Sequence, residues 1–205
     1  MAVDDIELLD AWRGGDREAG GELFDRYFMA LRRFFRNKTG DDFEELVQRT
    51  LIRCVEGRER FTGRGNFRSY LFGIAYNVLR EHVRGRHREE GRRAPQAPIS
   101  VIEAGMPGPA SFVGLRRDHR VLLEALRCLP LTDQVVLELF YWEQMSSAEI
   151  AEALDIPRGT VRSRLRLAKD RLRGHLDELG RTMGGLESTA DNLDRWAADL
   201  RQRLG

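Results

Sequence analysis

Apolar residues in the first eighty positions recur every three or four residues and never alternate with period two for long enough to make a sheet. Three sets stand out: Leu23, Phe24, Tyr27, Phe28, Leu31, Phe34 and Phe35; then Phe43, Leu46, Val47, Leu51, Cys54 and Val55; then Phe67, Tyr70, Leu71, Ile74, Ala75, Val78 and Leu79. That spacing marks one buried face on each of three helices. Asp4 and Asp5 ahead of Ile6, Leu8, Leu9 and Trp12 predict a further short helix at the start. The N-terminal segment therefore reads as a helical bundle.

Four of the six prolines (Pro95, Pro98, Pro107, Pro109) fall between residues 94 and 110 with Gly105 and Gly108, which reads as an extended linker. Helical spacing returns at Val121, Leu122, Ala125, Leu126 and Leu129 and is stopped by Pro130. Thr132 is then the expected N-cap of a helix buried through Val135, Val136, Leu139 and Phe140. Ser146 with Glu149 three residues on forms a capping-box pattern ahead of Ile150, Ala151 and Leu154. Asp155-Ile156-Pro157 breaks the chain, and Val161, Leu165, Ala168 and Leu172 line a last, longer helix. A short helix, a tight turn and a second helix make a helix-turn-helix, whose second helix is the candidate for the major groove. The predicted fold class is all-α: two small helical domains, residues 1–88 and 118–176, joined by a flexible linker at 89–117. In the extension at 177–205, Ser188 with Asp191 offers a helix start, and Leu193, Trp196, Ala197, Leu200 and Leu204 share a face.

Composition narrows the class. With 205 residues, 41% hydrophobic and 33% charged, the chain is expected to fold and not to insert in a membrane. Its first 25 residues carry eight acids against Arg13 and Arg17, so a secretory signal is not expected and the protein is placed in the cytoplasm. Cys54 and Cys128 have no CxxC or nearby His spacing, so each reads as a small buried hydrophobe and no metal site is expected. The net charge of +1 hides a strong segregation. From Arg158 to Arg173 there are seven cations and one acid, and from Arg80 to Arg93 six Arg against three Glu. All but Lys38 and Lys169 of the 34 basic residues are Arg, from either phosphate recognition or GC-rich codon usage, so position says more than count. Two basic segments in a nearly neutral chain point to two contacts with a polyanion. At about 100° per residue, Arg162, Arg166, Lys169 and Arg173 form a stripe on the last helix, with Thr160 and Ser163 near its leading edge. Leu167 points away from the buried stripe and is an expected exposed apolar side chain.

These residues resemble the extracytoplasmic-function sigma factors, small bacterial initiation factors, over roughly residues 8 to 176. Leu129-Pro130, Ser147-Ala148-Glu149-Ile150-Ala151, Leu154, Ile156 and Gly159-Thr160-Val161-Arg162-Ser163-Arg164-Leu165 are similar to the family's minus-35 reading domain, region 4. That half alone is common to many helix-turn-helix regulators. Asp42-Phe43-Glu44-Glu45-Leu46-Val47-Gln48 resembles the segment that binds the clamp helices of core RNA polymerase, and Phe67-Arg68-Ser69-Tyr70-Leu71-Phe72-Gly73-Ile74-Ala75-Tyr76-Asn77 resembles the minus-10 melting helix of region 2. The chain departs from the family at Tyr70, where Trp is usual, at Glu81, where Asp is common, and at Leu167, where Arg is frequent. It also runs about thirty residues beyond the basic helix.

The resemblance implies a non-enzymatic factor, without cofactor, that joins core RNA polymerase, reads two promoter elements and stabilises strand opening. It assigns polymerase binding to Asp42, Glu45, Leu46, Gln48 and Arg49, and minus-10 DNA to Phe61, Asn66, Arg68, Asn77, Arg80 and Arg84. Minus-35 DNA falls to Arg158, Thr160, Arg162, Ser163, Arg166, Lys169 and Arg173. Phe61 and Asn77 are expected to line a pocket for a flipped base, since stacking is worth about 1 to 3 kcal/mol per base. Phe67 and Tyr70 are read as core. Core polymerase and promoter DNA are the expected partners, with control by an anti-sigma factor or by the C-terminal extension folding back over the protein's own domains, Leu167 among the candidate sites. Two other classes stay open: a helix-turn-helix repressor or activator without polymerase docking, and a module that sequesters a regulator. His82, His87, His119 and His175 have no carboxylate or nucleophile at motif spacing, so no catalytic group is expected.

Overall fold

Two aspartates start the chain's first two helices. The computed structural model describes residues 3–61, 65–89 and 117–183. Asp4 precedes α1 (Asp5–Arg13), its N–H donating to the Glu7 carboxylate at 3.4 Å. The Asp16 carboxylate accepts from the N–H groups of Glu18 and Ala19 at 2.9 and 3.2 Å and opens α2 (Arg17–Thr39). A 3-10 turn at Gly40–Asp42 leads into α3 (Phe43–Gly57), and another at Arg58–Arg60 precedes α4 (Phe67–Glu89). The second unit holds α5 (Arg117–Arg127), α6 (Leu131–Tyr141), α7 (Ser147–Leu154) and α8 (Arg158–Met183). No β-strand occurs among the described residues, in agreement with the expected all-α class.

Helical periodicity delivers the core as read. Leu9, Leu23, Leu31, Phe35, Leu46, Phe67, Phe72 and Leu79 are wholly buried in the first unit, and Leu122, Leu126, Leu129, Val136, Leu139 and Ile150 in the second. Burying each such side chain contributes about 1.5 to 3 kcal/mol. The capping box at α7 is present: Ser146 Oγ accepts from Glu149 N–H at 3.3 Å, and the Glu149 carboxylate accepts from Ser146 N–H at 2.6 Å.

Several expectations are corrected. Thr132 does not cap α6. Pro130 holds that position, its carbonyl accepting from the N–H groups of Asp133 and Gln134 at 2.9 and 3.1 Å, and Thr132 is buried inside the helix. Cys128 is exposed, because Leu126 and Leu129 take the inward positions on either side of it; Cys54 is buried as read. Val55 lies at the surface of α3 and Phe28 at the surface of α2, and neither is on its helix's inner face as expected. The last helix runs past residue 176 to Met183, since its inward stripe continues through Leu176 to Leu179. Most of the linker, residues 90–116, and the helix expected after Ser188 lie outside the described residues.

The two units meet where α7 packs on α4. Gly73 makes that approach possible: a Cβ there would stand 3.0 Å from the Ala153 carbonyl oxygen.

Candidate nucleic-acid interface

Three surfaces carry the side chains singled out above. On α3, Leu46, Val47, Thr50 and Cys54 turn inward and Glu45 and Gln48 turn outward. Leu46 is fully buried, so its part is to hold the helix on the bundle and not to make an external contact. Asp42 and Arg49 are tied to α4, Asp42 to His82 and Arg86 at 3.5 and 3.6 Å and Arg49 to Glu81 at 3.5 Å. Glu81 also accepts two bonds from Arg53, at 2.9 and 2.6 Å, which hold its carboxyl below the usual carboxylate range. These contacts brace α3 against α4 and present its outer face. The polymerase-binding residues that the resemblance assigns leave out the apolar part of this surface: Ile52 is 48% exposed, and Phe28 on α2, expected on a buried face, is 41% exposed. Phe28 lines a groove between α2 and α3 with Arg32, Glu44, Val47, Gln48 and Leu51. Plotting the helix at 100° per residue would have found Ile52.

The α4 segment divides. Asn77 and Arg84 are exposed, and Arg80 lies over the Tyr76 ring at 5.5 Å. Phe61 does not stand open beside them. Only 6% exposed, its ring lies tilted against Tyr70 at 4.8 Å and meets Phe67 edge to face at 6.4 Å, and Arg13 donates to its carbonyl oxygen. Its pocket role is therefore corrected for this conformation: the aromatic cluster that fills the bundle holds the ring inside. Phe67 is wholly buried and Tyr70 half-buried, as their core reading required. Asn66 is committed at both ends, its Oδ1 accepting from Ser69 N–H at 2.7 Å and its Nδ2 donating to the Glu149 carboxylate at 2.5 Å. Arg68 is half-buried where it meets the field of Glu143 and Glu149.

On α8, Arg158, Arg162, Ser163, Arg166 and Arg173 are exposed on the side away from Val161, Leu165, Ala168 and Leu172. Thr160 is half-buried, and its carbonyl accepts from Ser163 Oγ at 3.0 Å. Lys169 leaves the expected stripe and sits over the rings of Phe140 and Tyr141 at 5.5 and 5.0 Å, against α6. Leu167 is exposed at 42%, as expected. The result is a cationic face on a rigid helix, the arrangement that places Arg on phosphates and base edges.

Charged side chains also cross between the units. Lys38 on α2, fully buried, donates to the Glu138 carboxylate of α6 and to the Phe34 carbonyl. Burial pulls its ammonium down from the ordinary value, against the pull of Glu138. Arg33 pairs with Glu143 at 3.3 Å, and burial raises the Glu143 carboxyl against the opposing effect of Arg33 and Arg68. Burial also tends to raise Glu149, but the bonds from Ser146 and Asn66 hold it below its ordinary value. Among the described residues no three His, Cys, Asp or Glu side chains group as metal ligands, and no helix is long and apolar enough to cross a membrane.

Comparison with known proteins agrees with this geometry. Residues 23–89 match the family model of Sigma-70 region 2 and residues 119–172 that of Sigma-70, region 4. The ECF RNA polymerase sigma factor SigL of Mycobacterium tuberculosis is 31% identical over 165 residues, covering 78% of this chain and 90% of that protein. The ECF RNA polymerase sigma-E factor of Haemophilus influenzae is 25% identical over 186 residues, covering 85% and 96%. In fold, the chain is similar to CnrH in its complex with the cytosolic domain of CnrY, with a TM-score of 0.63, 24% identity and coverage of 85% of this chain and 97% of that one. It is likewise similar to the sigma factor RpoE bound to the anti-sigma factor NepR from Bartonella quintana, with a TM-score of 0.60, 23% identity and coverage of 77% and 96%.

Proposed function

The chain belongs to the ECF RNA polymerase sigma factors, and from that premise we propose how its surfaces divide the work of initiation. It is an initiation factor that directs RNA polymerase to promoters. The outer face of α3, with Glu45, Gln48 and Ile52, docks on core polymerase, and Leu46 holds that helix in place. Asn77, Arg80 and Arg84 on α4, with Asn66 and Arg68 at its start, take the minus-10 element. Arg158, Arg162, Ser163 and Arg166 near the N-terminal end of α8 read minus-35 base edges, and Arg173 holds the backbone. The factor itself catalyses no bond change, works in the cytoplasm, and answers to an anti-sigma partner such as those bound to its structural relatives.

One observation supports this reading over a repressor that works alone. Glu45, Gln48 and Ile52 stand together on the outside of a braced α3, on a different element from the cationic α8. A DNA-binding regulator without polymerase has no use for that face. The test replaces Glu45 by Arg together with Gln48 by Ala. The variant should keep its circular dichroism spectrum and bind core polymerase at least tenfold more weakly; undiminished binding by the folded variant would remove the docking assignment.

A further inference from the structure

A leucine, not an arginine, stands at the front of α8. The buried side chains Val161, Leu165, Ala168, Leu172 and Leu176 fix the inward direction of that helix. At about 100° per residue, Ser163 and Leu167 fall within about 40° of the opposite direction, Arg166 lies about 60° from it, and Arg162 and Arg173 lie about 80 to 100° from it. Leu167 is 42% exposed, and no other large apolar side chain of the second unit is exposed among the described residues. Its companions along the front are small or already bonded. A Cβ on Gly159 or Gly174 would meet nothing within 4 Å. Ser163 Oγ donates back to the Thr160 carbonyl at 3.0 Å, and Asp170 pairs with Arg173 at 4.0 Å.

We propose that Leu167 reads the C5-methyl group of a thymine in the minus-35 element and is a specificity-determining residue of this chain. The inference rests on the assignment of α8 to minus-35 DNA made above. Arg162, Arg166 and Arg173 lie on one flank of Leu167, and the half-buried Arg164 with Arg171 on the other. Arg171 also binds Asp133 of α6. Cations on both flanks suit a helix seated between the two phosphate strands of the major groove, with Arg162 and Arg166 long enough to reach base edges from the side. The ridge of Gly159, Ser163 and Leu167 then faces the groove floor, and its small members let the backbone come close. On that floor thymine presents a methyl group, whereas the other bases present hydrogen-bonding groups. Leucine has no donor or acceptor in its side chain. Against a polar edge it displaces water and returns no hydrogen bond; against a methyl group both surfaces leave water together. A protein partner could also cover an exposed leucine, but rows of cations on either side of it match DNA, which offers anions on both sides of an apolar group.

Removing one methyl group from the DNA tests this on the full chain. Holoenzyme selected against a library randomised over the minus-35 element should return a position that requires a T·A pair. Replacing that thymine by deoxyuridine deletes the methyl group and keeps the pairing. Wild-type holoenzyme should then bind about fourfold more weakly, the worth of one buried carbon. Leu167→Ala should bind the thymine and deoxyuridine sites about equally, and Leu167→Arg should come to prefer guanine there, whose O6 and N7 accept from an arginine. The side chain is exposed, so both variants should keep the wild-type circular dichroism spectrum and urea midpoint. A selected site with no required thymine overturns the proposal, as does equal binding of thymine and deoxyuridine sites by the wild type. So does the same loss on deoxyuridine in Leu167→Ala. If Leu167→Ala alters transcription while the wild type ignores the methyl group, the residue serves a protein contact instead. The underlying reading fails separately: if Arg162→Ala and Arg166→Ala both select the wild-type sequence with undiminished preference, α8 does not read the element.

Discussion

On α3 an advance of about 100° per residue sets Ile52 between Gln48 and Glu45, opposite the buried Leu46 and Cys54. An ordinary solvated face would carry a polar side chain there, yet Ile52 is 48% exposed and Val55 beside it 37%. Apolar side chains ringed by polar ones are what a protein partner buries. Ile52→Glu should therefore weaken binding to core polymerase by more than about 1 kcal/mol, roughly fivefold or more. Because the site is exposed, the same change should move stability by no more than about 0.5 kcal/mol. Titration of labelled core polymerase beside a urea melt separates the two effects. The family resemblance pointed to Glu45, Leu46 and Gln48; it did not reveal Ile52, or that Leu46 is wholly inside.

The helix-turn-helix is an element whose caps and stripe are local, and so it was legible. Ser146 and Glu149 cap α7 as their spacing required, and Val161, Leu165, Ala168 and Leu172 are all buried. On α8, position along the helix sorts the cations. Arg162 stands in the first turns, the part of a recognition helix that meets base edges, and Arg173 stands three turns farther on. Arg162→Ala should relax base preference by about 1 to 3 kcal/mol, whereas Arg173→Ala should lower the slope of log affinity against log salt by about 0.9 and leave preference intact. Binding isotherms of the holoenzyme on cognate and altered minus-35 sites at several salt concentrations check both. Equal effects of the two changes on preference and slope would contradict this division. Lys169 was misplaced in the stripe because helical angle ignores the neighbours, and the rings of α6 draw it aside.

At the scale of the whole molecule, the buried Lys38–Glu138 pair couples two units a hundred residues apart in sequence. Removing one partner leaves the other charge unpaired in a buried place, which costs about 3 kcal/mol or more. The units need not unfold to escape that cost, since separation returns Glu138 to water. Calorimetry should thus show one unfolding transition for the wild type and two for Lys38→Met. Adding Glu138→Leu should bring back a single transition by leaving no stranded charge. A single, unshifted transition in Lys38→Met would mean that the pair does not join the units.

Local order was available from the sequence: the helices, the caps at Asp4 and at Ser146, the break at Pro157, the exposed Leu167 and the cationic side of α8. Each depends on residues within a turn or two, and side-chain chemistry and the 3.6-residue period act over that range. Tertiary structure decided the rest. Phe61 is drawn inside because Tyr70 and Phe67 offer it a ring cluster, and Cys128 is turned outward because Leu126 and Leu129 claim the core on either side. Asn66 meets Glu149, and Lys38 meets Glu138, across separations at which no periodicity carries information. Which face of one unit another covers depends on how backbones close together, as at Gly73 and Ala153, and that is settled only when both are folded.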